Sequence, residues 1–141
     1  MAGRTFSVSL VTPEGPAFEG EAEMVIVPGA AGEIGVLARH APLVATLKAG
    51  STRIYLNREA EEVVELATGP GFFKVELDRA LALVDDAVDV KEIDDDRARA
   101  QLEEARAELE RIDRGESDAD RWQVEQRIRH AENQLEALTG L

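Results

Sequence analysis

Three kinds of residue in this sequence have the types and spacing to do chemistry: a glycine-rich run, two histidines and several groups of aspartate. Gly29-Ala-Ala-Gly32-Glu-Ile-Gly35 has the composition of a loop that cradles phosphate with its backbone N–H groups. Such a loop needs a helix N-terminus behind it, and usually a lysine. The residues that follow, Val36 to Pro42, show no helical period, so the run reads as a turn between strands. His40 and His130 lack a local ligand spacing such as His-x-x-x-His, and no Ser-His-Asp order accompanies them. His40, beside Arg39 and Pro42, reads as a contact or turn residue. Asp85-Asp86, Asp89 and Asp94-Asp95-Asp96 do not follow the Asp-x-Asp-x-Asp-Gly order of a calcium loop. Acids at a helix start are favoured by the helix dipole in any case. The residues alone therefore describe a binding module with no catalytic group and no metal site.

The elements that would position these residues change in character near residue 90. All five prolines and all but two of the eleven glycines, Gly115 and Gly140, lie before it. In Phe6-Ser-Val-Ser-Leu10 apolar residues recur at every second position, the mark of a half-buried strand. Met24–Val27, Pro42–Leu47, Arg53–Leu56, Glu62–Leu66, Phe72–Leu77 and Ala80–Val84 are further strands, separated by turn signals such as Pro13-Glu-Gly15, Asn57-Arg58 and Gly69-Pro-Gly71. Many short strands with no helical period among them predict an antiparallel sandwich or barrel, assigned to residues 1–88.

Residues 89–141 read as two helices. Ala98, Leu102, Ala105, Leu109 and Ile112 advance in steps of three and four, and so do Val124, Ile128, Ala131, Leu135 and Leu138. Gly115 can end the first helix, and Ser117 can cap the second with Asp120 in the third position. Glu110–Arg114 and Glu125–Arg129 have the favourable i,i+4 order. Two narrow seams joined by a short turn predict an antiparallel hairpin. It is weakly held, because alanines fill its seam as often as large residues.

Composition closes off other classes. A chain of 141 residues suits one domain with an appendage. Its net charge of −13 would repel nucleic-acid phosphates and anionic lipid headgroups, so no nucleic-acid partner is expected. The absence of cysteine removes disulfides and thiolate chemistry and fits a reducing compartment. No run approaches a membrane span, and Met1–Phe6 lacks the apolar core of a signal peptide.

The arrangement resembles the epsilon subunit of bacterial F-type ATP synthase from about Phe6 to the C-terminus. Val11-Thr-Pro-Glu-Gly15 and Phe18-Glu-Gly-Glu21 are similar to the family's opening strands. The most specific run is Val27-Pro-Gly29, Gly32-Glu-Ile-Gly35-Val, His40-Ala-Pro-Leu43 and Leu47-Lys-Ala-Gly50, with Gly69-Pro-Gly-Phe72 at a later turn. Arg39 stands where the family has glycine.

The resemblance implies a ten-stranded β-sandwich followed by two helices. It also implies a non-catalytic rotor subunit at the foot of the central stalk, on the cytoplasmic face of the bacterial membrane and peripheral to it. Its expected partners are the gamma subunit, the c-ring, and the alpha and beta subunits, which hold the chemistry. Gly29, Gly32, Glu33, Arg39 and His40 are expected at the c-ring. The helices are expected to inhibit ATP hydrolysis through Arg106, Arg111, Arg114 and Arg121. No cofactor is required, but ATP as a regulatory ligand follows from Ile93-Asp94-Asp95-Asp96-Arg97-Ala98, which matches the family pattern Ile-Asp-x-x-Arg-Ala. Asp94 would accept from adenine, Ile93 and Ala98 would offer apolar contact, Arg97 would supply donors, and Arg127 and Arg129, with His130 nearby, would meet phosphates. The plain alternative at this motif is a helix start with Asp94 as its cap. A stand-alone nucleotide-sensing module is the second functional class, and a small sandwich enzyme the third.

Overall fold

Alternation builds the sheet. In β1 (Phe6–Thr12) the side chains of Phe6, Val8 and Leu10 are buried while Ser7 is exposed. The same inward alternation recurs in β8 (Gly71–Glu76), through Phe73 and Val75, and in β9 (Arg79–Val84), through Ala80, Ala82 and Val84. The computed structural model describes residues 3–140. Its other strands are β2 (Gly15–Ala22), β3 (Met24–Gly29), β4 (Gly32–Leu37), β5 (Leu43–Leu47), β6 (Gly50–Asn57), β7 (Glu62–Thr68) and β10 (Ala87–Asp89).

The ten strands form one continuous hydrogen-bonded sheet in the order β10-β7-β6-β3-β5-β8-β9-β1-β2, with β4 added on β3. The sheet wraps into a sandwich around a core that includes Leu10, Val27, Val36, Leu47, Ile54 and Phe73. The antiparallel sandwich is thus present, with one parallel ladder in it: β1 runs alongside β9, Ser7 opposite Arg79 and Val11 opposite Leu83. Gly71 opens β8 where the sheet is tightest. A Cβ there would stand 1.8 Å from the Leu83 carbonyl oxygen, so only glycine fits.

The glycine-rich run read as a turn between strands is itself partly strand. Gly29 to Gly32 forms a hairpin tip, β4 then runs back along β3 to pair Leu37 with Met24, and a second turn holds Arg39 and His40. The physical reason is that Ile34 and Val36, two residues apart, give β4 just enough inward apolar surface to pair.

Past β10, a 3-10 turn (Val90–Glu92) capped by Asp89 leads into α1 (Asp95–Asp113) and α2 (Arg121–Leu138). The expected division at 88/89 falls inside β10, which pairs with β7. Asp94 caps α1 by accepting from the Arg97 N–H at 3.2 Å. Gly115, at φ 75°, turns the chain out of it. The cap of α2 is Asp120, which accepts from the Gln123 N–H at 3.1 Å, and not Ser117. Ser117 instead donates to Glu108 at 2.6 Å and accepts from the Ala119 N–H, tying the turn to α1.

The hairpin seam is as read at Ala98, Ala105, Val124 and Ala131, all buried, while Leu138 is exposed. Arg106–Glu132, at 3.7 Å, and Arg121–Asp113 bridge the helices. Such exposed pairs contribute about 0.2–1 kcal/mol each. Glu110–Arg114 forms at 3.5 Å, but Arg129 has no ion-pair partner among the described residues, so the expected Glu125–Arg129 pair is not made. No helix among the described residues is long and apolar enough to cross a membrane.

Candidate functional site

The richest polar cluster lies where the helices meet the sandwich, and Asp86 is its centre. Asp86 sits in the turn between β9 and β10 and accepts from three side chains of the hairpin. Arg97 Nη2 reaches Oδ1 at 3.1 Å, Gln101 Nε2 reaches Oδ2 at 3.4 Å, and His130 Nε2 lies 2.7 Å from Oδ2. Because a carboxylate only accepts, His130 must carry its hydrogen on Nε2. Its Nδ1 is buried without a partner among the described residues, as are Gln134 Oε1 and Asn133 Nδ2. Gln134 Nε2 donates to Gln101 at 2.9 Å and so continues the network between the helices.

The two neighbouring aspartates respond in opposite directions. Burial alone would raise the Asp86 carboxyl, but hydrogen bonds from His130 and Arg97 outweigh it and hold the group well below the usual carboxylate range. Among the described residues no side chain donates to Asp85 in this way. Burial pushes its carboxyl up, and nearby His130 only partly offsets this. A cavity of about 210 Å³ opens beside the pair, lined also by Gln101, Glu104, Arg127 and His130.

The nucleotide motif falls at this junction. Asp94 Oδ1 is engaged as the α1 cap, Arg97 is paired with Asp86, and Ala98 is wholly buried; Ile93 is half-buried. Arg127 faces the cavity beside Asp86, whereas Arg129, two residues on, points from a different side of the helix. Of the arginines assigned to inhibition, Arg106 and Arg121 bridge to the opposite helix, and Arg111 and Arg114 pair with Glu108 and Glu110 of their own. They are neutralised pairwise instead of being gathered on one bare face.

The residues assigned to the c-ring occupy two places. Gly29, Gly32 and Glu33 form the β3–β4 tip, where Glu33 pairs with Arg53 at 3.1 Å. Arg39 and His40 lie past the other end of β4, which carries the chain about 14 Å from Glu33 to Leu37 at ~3.4 Å per residue. There Arg39 N–H donates to Asp78 at 2.6 Å, and the His40 ring lies 2.7 Å from the Ala41 carbonyl.

One surface escaped the sequence reading. Strand register sets Thr46, Phe72, Leu83 and Val11 in one row across β5, β8, β9 and β1, with Val44, Lys74, Leu81 and Ser9 in the next. Phe72 is 63% exposed and Val44 73% exposed. Trp122, at the start of α2, closes a cleft of about 460 Å³ with Phe72, Leu83 and Val11. Large apolar side chains arranged this way on an outer face mark a contact surface.

A β-sandwich with a helical hairpin seated on its last turn defines a class, and comparison with known proteins places the chain within it. Residues 5–90 match the family described as ATP synthase, Delta/Epsilon chain, beta-sandwich domain. The ATP synthase epsilon chain of Laribacter hongkongensis is 37% identical over 137 residues, covering 97% of this chain and 95% of that one. The ATP synthase epsilon chain of Desulfitobacterium hafniense strain Y51 is 40% identical over 109 residues, 77% of this chain and 80% of its own length. A chain in the cryo-EM structure of Euglena gracilis mitochondrial ATP synthase, OSCP/F1/c-ring, shares the fold, with a TM-score of 0.69 at 24% identity, over 98% of this chain and 84% of that one. The chain belongs to the ATP synthase epsilon chain family.

Proposed function

We propose that this chain is a non-catalytic subunit of the F-type ATP synthase rotor, in which the sandwich joins the gamma subunit to the c-ring and the helical hairpin restrains ATP hydrolysis in the alpha and beta subunits. The observation that carries the reading is the outer face of β5, β8, β9 and β1. Its apolar rows sit on a chain otherwise covered in acid, and they continue into the cleft under Trp122. This face suits an apolar helical surface of gamma. The β3–β4 tip, built of small exposed residues ahead of Glu33, suits an end-on approach to the polar loops of the ring. Membrane association on the cytoplasmic face would then come through these protein contacts.

For the hairpin, ion pairs between its helices are weak enough to open, and opening would free Arg106 and Arg121 for an acidic partner surface. ATP is proposed as a ligand of the folded hairpin, supported by the Ile93 to Ala98 motif and by Arg127 beside Asp86. A nucleotide phosphate would have to compete with Asp86 for Arg97. Reconstitution with the other rotor subunits tests the main reading: Phe72→Glu with Leu83→Glu should abolish co-purification with gamma while the isolated chain stays folded. Unchanged co-purification would remove the assigned face. Deleting residues 91–141 should raise hydrolysis in the assembled complex, and unchanged hydrolysis in a latent complex would contradict the restraint.

A further inference from the structure

The contacts of Asp86 carry a consequence for how the hairpin stays on the sandwich. Its carboxylate takes hydrogen bonds from α1, through Arg97 and Gln101, and from α2, through His130. Among the described residues one further side-chain hydrogen bond ties the hairpin to the sandwich: Gln126 accepts from the Ala49 N–H at 2.7 Å. α2 buries two apolar side chains, Val124 and Ala131, and two polar ones, His130 and Gln134, so half of the side chains it buries need hydrogen-bond partners.

His130 makes the contact decisive. The residue is 5% exposed, and its Nδ1 already lacks a partner among the described residues. Without Asp86 both ring nitrogens would be buried and unpaired, a far costlier state than one. Lifting the hairpin relieves that cost by exposing His130 to water. Charges around the cluster do not replace the lost acceptor. Asp85 is the neighbouring acid, Glu104 of α1 and Arg127 of α2 line the same cavity, and Glu14 and Asp94 face Arg97 from the β1–β2 turn and the α1 cap. None of them accepts a hydrogen bond from His130.

We propose that Asp86 is the latch of the docked hairpin: its charged carboxylate, fed by donors from both helices, holds α1 and α2 on the sandwich, and the hairpin leaves when that acceptor is removed or neutralised. The latch is a property of the chain alone, so it stands or falls separately from the rotor assignment.

The test uses the full chain, which has no cysteine of its own. Glu76→Cys on the sandwich and Glu116→Cys in the hairpin turn, both exposed, take spin labels for distance measurement. The parent chain should give one narrow distribution. Asp86→Asn and Asp86→Ala should each lower the ratio of docked to undocked hairpin at least tenfold, with the β-sheet circular dichroism of the sandwich retained, and Asp86→Glu should recover part of the docked population. Arg97→Ala combined with His130→Ala leaves Asp86 in place, removes its donors, and should open the hairpin as well. Acidification of the parent should broaden its distribution only below the ordinary aspartate range, whereas Asp86→Asn should be broad throughout. Narrow, parent-like distributions in the Asp86 and donor variants would overturn the latch, and so would one acid profile shared by the parent and Asp86→Asn.

Discussion

The backbone N–H of Arg39 donates to the Asp78 carboxylate at 2.6 Å, and both residues hold left-handed backbone, at φ 66° and 57°. The contact joins the β4–β5 turn to the β8–β9 turn, where Leu77 is also left-handed at φ 49°. A left-handed conformation costs an L-residue about 1–2 kcal/mol, while glycine adopts it freely. This explains why glycine suits position 39. On the Arg39 side the hydrogen bond to Asp78 uses only the backbone N–H, so the Arg39 side chain does not help to hold it. Arg39→Gly should therefore stabilise the chain by about 0.5–1 kcal/mol after the extra unfolded-state entropy of glycine is subtracted. Urea unfolding measures this, and a lowered midpoint would contradict the strain assignment.

The separation of Glu33 from His40 along β4 makes a prediction about the rotor contact. If the sandwich meets the c-ring end-on through the β3–β4 tip, Glu33→Cys should form a disulfide with cysteines in the ring loops and His40→Cys should not. A disulfide from His40→Cys would mean that the sandwich lies on its side against the ring.

Gly71→Ala should be severe. The added methyl group would collide with the Leu83 carbonyl, which is backbone and fixed by the β8–β9 ladder. A loss of about 2–4 kcal/mol is expected in chemical unfolding, in the range of backbone clashes in tight cores. A shift in midpoint equivalent to less than about 1 kcal/mol would show that β8 and β9 can separate locally at little cost.

Asp85 gives a pH prediction of definite sign. Its carboxyl is raised by burial, so the folded state binds a proton more tightly than the unfolded chain does. Deprotonation above the folded value then counts against stability. Asp85→Asn, which cannot ionise, should raise the thermal midpoint at pH 7, and the gain should vanish as pH falls below the ordinary aspartate range. A gain of equal size at pH 7 and pH 3 would point to packing against Gly69 in place of charge.

Seven of the ten strands were legible because apolar residues alternate in them or, in β7, run together between turn signals. The other three give little to read. β2 carries two glycines and a proline, and along its length only Ala22 is buried, with Phe18 half-buried against the core. β4 buries Val36 and lies among glycines that also suit a loop, and β10 is three residues long. The helical seams were visible for the same reason as the alternating strands: their period is apolar. The junction was not, because His130 and Gln134 are polar residues buried by the partners they meet, and Asp86 lies forty-four residues before His130. Local spacing carries no signal for such a pair. Arg39 was noticed only as a departure from glycine, and its meaning lies in a backbone angle that a residue type alone does not state.

The parallel ladder between β1 and β9 has a consequence for how the chain is made. Of the ten strands β1 leaves the ribosome first, and it can form a hairpin with β2 at once. Its other edge waits for Arg79 to Val84, almost the last part of the sandwich to be synthesised. Until then the nascent sheet has an open edge next to Phe6, Val8 and Leu10, whose core is still incomplete. Closure is therefore a late, long-range event, slow in the way that distant strand pairings are, and the growing chain is most exposed to misassociation just before β9 emerges.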